Sequence, residues 1–244
     1  MGVNYNEIAK KYDLTRKENI NTIDRFLKTV AISADINVLD FGCGTGNFTC
    51  AFKLMTNANV YGVEPSDGMR EKAAEKNNKI VFKKGNHEYL PFEDSYFGFI
   101  YMTDVIHHVP DIDLMFTEIN RVLKKEGHVC IVTESHEQLK SRFWVKYFPT
   151  TVHVEKERYP DISQITESAV KNGLTFIKNE STDSKKKHMI SSEFIQLVEN
   201  KGYSMFELIK DSDYTKGFAH MKTDYNQNIE VEYTHGETFI WLRK

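Results

Sequence analysis

The run Val38-Leu39-Asp40-Phe41-Gly42-Cys43-Gly44-Thr45-Gly46 constrains this chain more than any other stretch. Residues of strand type lead into a turn with glycine at every second position. An amphipathic segment follows, with Phe48, Ala51, Phe52 and Met55 at helical spacing. The pattern predicts a strand, a glycine turn and a helix. In such a unit glycine permits positive φ and close approach of a ligand to the backbone, and the amides at the helix start face the same point. A nucleotide-like ligand is expected there. The spacing is G-x-G-x-G with an acid two residues ahead, which differs from the G-x-G-x-x-G of dinucleotide sites, and no G-K-[ST] marks a P-loop.

Downstream the chain alternates. Strands are expected at 37–41, 60–64, 80–82, 99–102 and 129–132, and helices at 67–76 and about 111–124, the latter stopped by Lys125-Glu126-Gly127. A helical stretch at 4–28 precedes them. This rhythm predicts a parallel sheet covered by helices on both faces. Beyond Glu134 an aromatic-rich segment at 138–159 is followed by a helix at 161–172, a strand at 174–180 and a last strand at 238–242. Residues 185–230 lie between those two strands, far more than a hairpin needs, and hold helical segments at 194–198 and from Met205. The basic run Lys185-Lys186-Lys187-His188 reads as a solvated loop.

A chain of 244 residues accommodates one α/β domain with an appended subdomain. A formal charge of −3 gives no electrostatic reason to expect nucleic acid as partner. No apolar stretch reaches membrane-spanning length, and the first residues lack a signal-peptide layout, so a cytoplasmic protein without a membrane partner is expected. Cys43, Cys50 and Cys130 have no C-x-x-C spacing, so they read as reduced small apolar residues, and no metal site is expected.

The glycine run resembles motif I of the class I S-adenosylmethionine (SAM)-dependent methyltransferases, in the small-molecule branch called type 11 or ubiquinone-biosynthesis-like. The resemblance implies a doubly wound, Rossmann-like sheet of seven strands, the last antiparallel and inserted between the fifth and sixth. It also implies a helical cap before that last strand. The expected layout is N-terminal lid helices at 1–30, a SAM-binding domain at 31–184 and 231–244, and a cap over the acceptor site at 185–230.

Candidate cofactor residues follow the same pattern. Asp40, Gly42, Cys43, Gly44 and Gly46 belong to the turn. Glu64, ahead of Pro65 and about twenty residues after the turn, is placed to accept hydrogen bonds from both ribose hydroxyls, and Met69 to pack on the adenine. Gly85-Asn86-His87-Glu88-Tyr89-Leu90-Pro91-Phe92 resembles the family's G-D-A-x-x-L-P-F. Asn86 and His87 stand where an acid and a small residue would meet the adenine, and the Asn86 amide oxygen can still accept from its amino group. Tyr12 and Arg16, with Tyr5 and Asp13, resemble the family's Y-x-x-x-A-x-x-Y-D…R helix, which closes over the cofactor's carboxylate.

Thr103-Asp104-Val105-Ile106-His107-His108-Val109-Pro110 resembles the branch's strand-end motif. Strand ends on this edge form the ligand crevice, so Thr103 and one of the two histidines are expected to face the methionine part of the cofactor or the acceptor, and His107 or His108 is the candidate base, with His136, His220 and His235 in reserve. The expected activity is methyl transfer from SAM, leaving S-adenosylhomocysteine, to O or N of a small molecule with an apolar or aromatic part. A quinone-type C-methyltransferase or a non-catalytic SAM-binding protein is the alternative. The expected assembly is a monomer or homodimer.

Overall fold

A computed structural model describes residues 20–244. Tyr12, Arg16 and most of the helix expected over 4–28 lie outside them. Within them the order is α1 (Ile20–Thr29), β1 (Asn37–Phe41), α2 (Asn47–Met55), β2 (Asn59–Val63), α3 (Asp67–Lys76), β3 (Val81–Lys83), β4 (Phe97–Thr103), α4 (Ile112–Val122) and β5 (Leu123–Thr133). Next come α5 (His136–Lys140), α6 (Thr151–Arg158), α7 (Ile162–Lys171), β6 (Thr175–Ser181), β7 (Ser184–Met189), α8 (Ser192–Glu199), α9 (Met205–Leu208), α10 (Asp211–Asn226), β8 (Glu230–His235) and β9 (Thr238–Arg243).

The main sheet has seven strands in the order β3-β2-β1-β4-β5-β9-β6. β1 pairs in parallel with β2 on one side and β4 on the other. The strand order therefore reverses between β1 and β4, and a crevice outside the carboxyl ends of those two strands is where such sheets bind ligands. β9 runs against β5: Glu126 N donates to Lys244 O and Lys244 N to Gly127 O, so the end of the chain lies beside the start of β5. This is the Rossmann-like arrangement with an antiparallel last strand expected above.

Chain segments form two compact units. One holds the described residues up to Thr133, with Ser163–Asn179 and Phe239–Lys244; the other holds Glu134–Ile162 and Glu180–Thr238. The core of the first unit is aromatic. Phe26 of α1 is fully buried, its ring centroid 5.4 Å from Phe99, 5.3 Å from Tyr101 and 6.0 Å from Trp241. α4 buries Met115, Phe116, Ile119 and Val122. It begins where Asp111 Oδ1 accepts from Asp113 N and Leu114 N, which supplies two of the amide partners a helix start lacks. α7 ends as its sequence suggests: Gly173 has φ 85°, Gly173 N donates to Val170 O and Leu174 N to Ala169 O, a left-handed glycine stop.

Three local expectations differ from the structure. Lys125-Glu126-Gly127 does not end the helix, which already stops at Val122, but forms a bulge inside β5 with Glu126 at φ 62°; Leu123 pairs with Phe97 and His128 with Phe99. The Lys185–Lys187 run is strand β7, paired antiparallel with β8, with Lys187 bridging Glu230 and Glu232. The sixteen residues of α10 fill much of the stretch read only as helical beginnings. The second unit has its own core, in which Phe143, Phe148, Phe206 and Met221 are buried. Arg142 ties it together, its guanidinium paired with Glu134 and Glu155.

Candidate active site

The chain leaves β1 at Phe41 and turns at once. Gly42 N and Cys43 N both donate to Val63 O, at 2.8 and 3.0 Å, which folds the turn over the end of β2. Gly42 and Gly46 have φ of 77° and 78°, a region side chains other than glycine rarely adopt. Gly46 is the N-cap of α2. A Cβ on Gly42 would lie 2.6 Å from Val105 Cγ1, so the segment after β4 packs directly on the turn that follows β1.

Glu64 crosses from the end of β2 to the same turn. One carboxylate oxygen accepts from Gly44 N at 3.1 Å and the other from Ser66 N at 2.8 Å. The side chain belongs to a residue only 7% exposed. Burial pushes its carboxyl above the usual range, while the Ser66 and Gly44 amides and the Arg70 charge pull the other way. Ser66 also caps α3, its Oγ accepting from Met69 N, and Met69 is buried. Arg70 Nη1 donates to Glu64 O at 3.2 Å, which steadies the same corner.

Asp40 lies inside the sheet, 2% exposed. Thr49 Oγ1 donates to its Oδ2 at 2.6 Å. Burial raises its carboxyl to about 7, against the pull of Thr49 and Tyr101 and with some help from Glu64. Asp40 therefore joins β1 to α2 from within. Cys43 is buried and its thiol is pushed well up by burial and by the nearby Asp40 and Glu64 carboxylates, the opposite of an activated nucleophile.

The loop after β3 is held by Asn86. Its Oδ1 accepts from Glu88 N at 2.9 Å and Tyr89 N at 3.0 Å, and its own N donates to Tyr89 O. Both donors are backbone amides, so the side-chain oxygen is engaged within the loop and the amide nitrogen is its remaining polar atom. His87 is half-buried, with Nε2 4.0 Å from Glu88 Oε1. β4 ends at the half-buried Thr103, and Asp104 then takes φ 56° while its N donates to Val132 O. A short 3-10 turn, Ile106–His108, carries the histidine pair with ring centroids 3.9 Å apart. Among the described residues no group of three or more His, Cys, Asp or Glu is placed to hold a metal ion.

The ends of β1, β2 and β4 thus bring together the glycine turn, Glu64, Pro65 and Thr103 on one edge. Thr49, Ser66 and Arg70 were not singled out from the sequence, and Val105 was named only as part of the strand-end motif. Ser66 was the most accessible of them, as a serine three residues ahead of Met69 at a helix start. An ionised carboxylate has about four acceptor sites. Glu64 uses two on backbone amides, which leaves each oxygen able to meet a ribose hydroxyl, so these residues fit an adenosyl group.

Residues 39–131 match a family model described as a methyltransferase domain. A demethylmenaquinone methyltransferase of Staphylococcus aureus is 30% identical over 185 residues, covering 66% of this chain and 75% of the relative. The chain belongs to the class I SAM-dependent methyltransferases. Solved structures agree in fold. A putative methyltransferase from an antibiotic biosynthesis pathway of Anabaena variabilis superposes with a TM-score of 0.70 at 19% identity, covering 93% of this chain and 98% of that one. A SAM-dependent methyltransferase of Thermotoga maritima, described as a possible histamine N-methyltransferase, gives 0.61 at 19% identity, with 98% of each chain covered. SAM is the cofactor of this methyltransferase and small molecules are its substrates. No helix among the described residues is long and apolar enough to cross a membrane.

Proposed function

We propose that this methyltransferase acts on oxygen or nitrogen of a small acceptor with an apolar or aromatic part, with His107 or His108 receiving the acceptor's proton. The observation that carries the reading is the tandem pair itself. Two imidazoles 3.9 Å apart leave β4 on a turn whose Val105 rests against the glycine cradle. Bound SAM supplies a methyl group on a positively charged sulfur, so the protein's work is alignment, exclusion of water and, for a protonated acceptor, removal of a proton.

In this reading Glu64 holds the ribose hydroxyls and the Gly42–Gly46 backbone lets the cofactor approach, with Cys43 among its residues. Met69 and Pro65 pack beside the adenine, and Thr103 borders the methionine part. Asn86 then contributes to the adenine through its amide nitrogen or its backbone, since its oxygen already serves Glu88 N and Tyr89 N. His87 flanks the same ring. Asp40 acts from below, by fixing the start of α2. The reading further takes the enzyme to be cytoplasmic, without a nucleic-acid partner, as a monomer or homodimer.

A second reading, methyl transfer to carbon of a quinone, is favoured by one observation: the 30% identical relative is a demethylmenaquinone methyltransferase. Incubation with methyl-labelled SAM and a panel of phenols, amines and demethylated quinones separates the two. The product's methyl, located by mass spectrometry and NMR, is expected on O or N. A methyl found only on a quinone ring carbon would replace the first reading with the second.

A further inference from the structure

No helix or strand occupies residues 84–96, the connection from β3 to β4. Connections of this length without secondary structure of their own are uncommon and usually functional. This one starts beside Glu64: Glu64 N donates to Lys83 O at 3.2 Å, and a Cβ on Gly85 would lie 3.0 Å from Val63 Cγ1. Asn86 then turns the chain over residues 86–89, and Leu90 is fully buried.

The rest of the loop is held from α4. Arg121 Nη2 donates to Leu90 O and Nη1 to Phe92 O, both at 2.8 Å. Nη1 also reaches Asp94 Oδ1 at 2.9 Å, and Nε and Nη2 meet the two Glu118 oxygens at 2.8 and 2.7 Å. A guanidinium has five N–H donors in a fixed fork, so every one of them is used here. Glu118 adds a contact of its own, Oε2 accepting from Leu90 N at 2.8 Å. The Arg121 guanidinium holds the Glu118 carboxyl below its usual range. The main chain takes part as well, with Ser95 N donating to Arg121 O at 2.9 Å. An ordinary surface ion pair contributes little. This pair differs because its remaining bonds go to main-chain atoms of a single loop.

We infer that Glu118 and Arg121 are positioning residues for adenine recognition: they fix Leu90 and Phe92, and through them hold the Asn86–Tyr89 turn against the base. The inference rests on the adenine placement proposed for Asn86 and His87. Both side chains act through the loop's main chain and not by touching the cofactor. Lysine at 121 keeps the charge but carries three donors on one nitrogen, which cannot span Leu90 O, Phe92 O and Glu118 together. Glutamine at 118 can still accept from Leu90 N but loses the charge-assisted pair with the guanidinium.

S-inosylhomocysteine carries hypoxanthine in place of adenine, so its N1 donates where adenine N1 accepts and its C6 bears oxygen in place of an amino group. Calorimetry of the full chain gives the ratio of its Kd to that of S-adenosylhomocysteine. That ratio reads the base alone, because the ribose contacts and the fraction of folded protein affect both ligands equally. In the parent it is expected to be about tenfold or more. In Arg121→Lys and Glu118→Gln it is expected to drop to within about threefold of unity, as the loop no longer presents its polar groups in register. Ile119, fully buried between the two on α4, supplies the control: Ile119→Val lowers stability without touching the loop and is expected to keep the parent ratio. Should Arg121→Lys fail to fold, Glu118→Gln, which leaves Leu90 N its partner, decides the matter. A parent ratio near unity would overturn the adenine placement and the inference with it. A discriminating parent with an unchanged ratio in either folded loop variant, or an equal drop in Ile119→Val, would overturn the inference alone.

Discussion

Asp40→Asn is a test of the buried carboxyl beneath the glycine turn. Asp40 is 2% exposed, and burial lifts its carboxyl from 3.8 to about 7. Between those two values the folded protein keeps a proton that the unfolded chain has released. Stability therefore falls as pH rises from 3.8 to about 7 and is level above that. From pH 5 to pH 8 the loss from this one group is about 2.5 kcal/mol. Asparagine does not titrate, has nearly the same shape and can still accept from Thr49 Oγ1. Urea unfolding can be followed by Trp241 fluorescence in a Trp144→Phe background, so that the signal reports the unit holding Asp40. Relative to the Asp40→Asn variant, the parent should lose about 2.5 kcal/mol between the two pH values. Parallel pH dependences in the two proteins would refute the reasoning, because they would mean that Asp40 titrates alike in both states.

Other substitutions test other parts of the account. Phe26→Ala removes the ring at the centre of the aromatic core and should cost about 3–5 kcal/mol in urea unfolding; a loss under 1 kcal/mol would mean the core collapses around the gap. Gly42→Ala meets both a positive φ and Val105 at 2.6 Å, so it should destabilise by about 1–3 kcal/mol and weaken SAM in calorimetry, and an unchanged protein would show that the turn yields freely. His107→Ala or His108→Ala should lower turnover of a protonated acceptor by about 10²- to 10⁴-fold while SAM affinity stays within a few-fold. Full turnover in both would leave alignment alone as the source of rate.

The first unit was legible because its signals are local. The glycine turn follows its strand immediately, Glu64 ends the next one, and α4 and α7 each carry their apolar face within a few turns. The features missed depend on partners distant in sequence. Lys185–Lys187 has no apolar alternation and reads as loop, yet pairs as a strand because Glu230 and Glu232 arrive opposite it after some forty residues. Lys125-Glu126-Gly127 has the composition of a helix stop, but the chain end pairs beside it and turns it into a bulge. Asn86 could be read as an acceptor for adenine from its residue type; only the loop's backbone course shows that its oxygen is taken by Glu88 N and Tyr89 N.

In the proposed function the glycine turn and Glu64 form the SAM site. Calorimetric titration of SAM and S-adenosylhomocysteine into the parent protein and Glu64→Ala measures it directly. Micromolar binding of both is expected in the parent, with no heat from NAD. The variant should bind about 5- to 150-fold more weakly, the cost of leaving hydroxyl partners unmet. Equal affinity in the two proteins, or binding of NAD in place of SAM, would contradict the account.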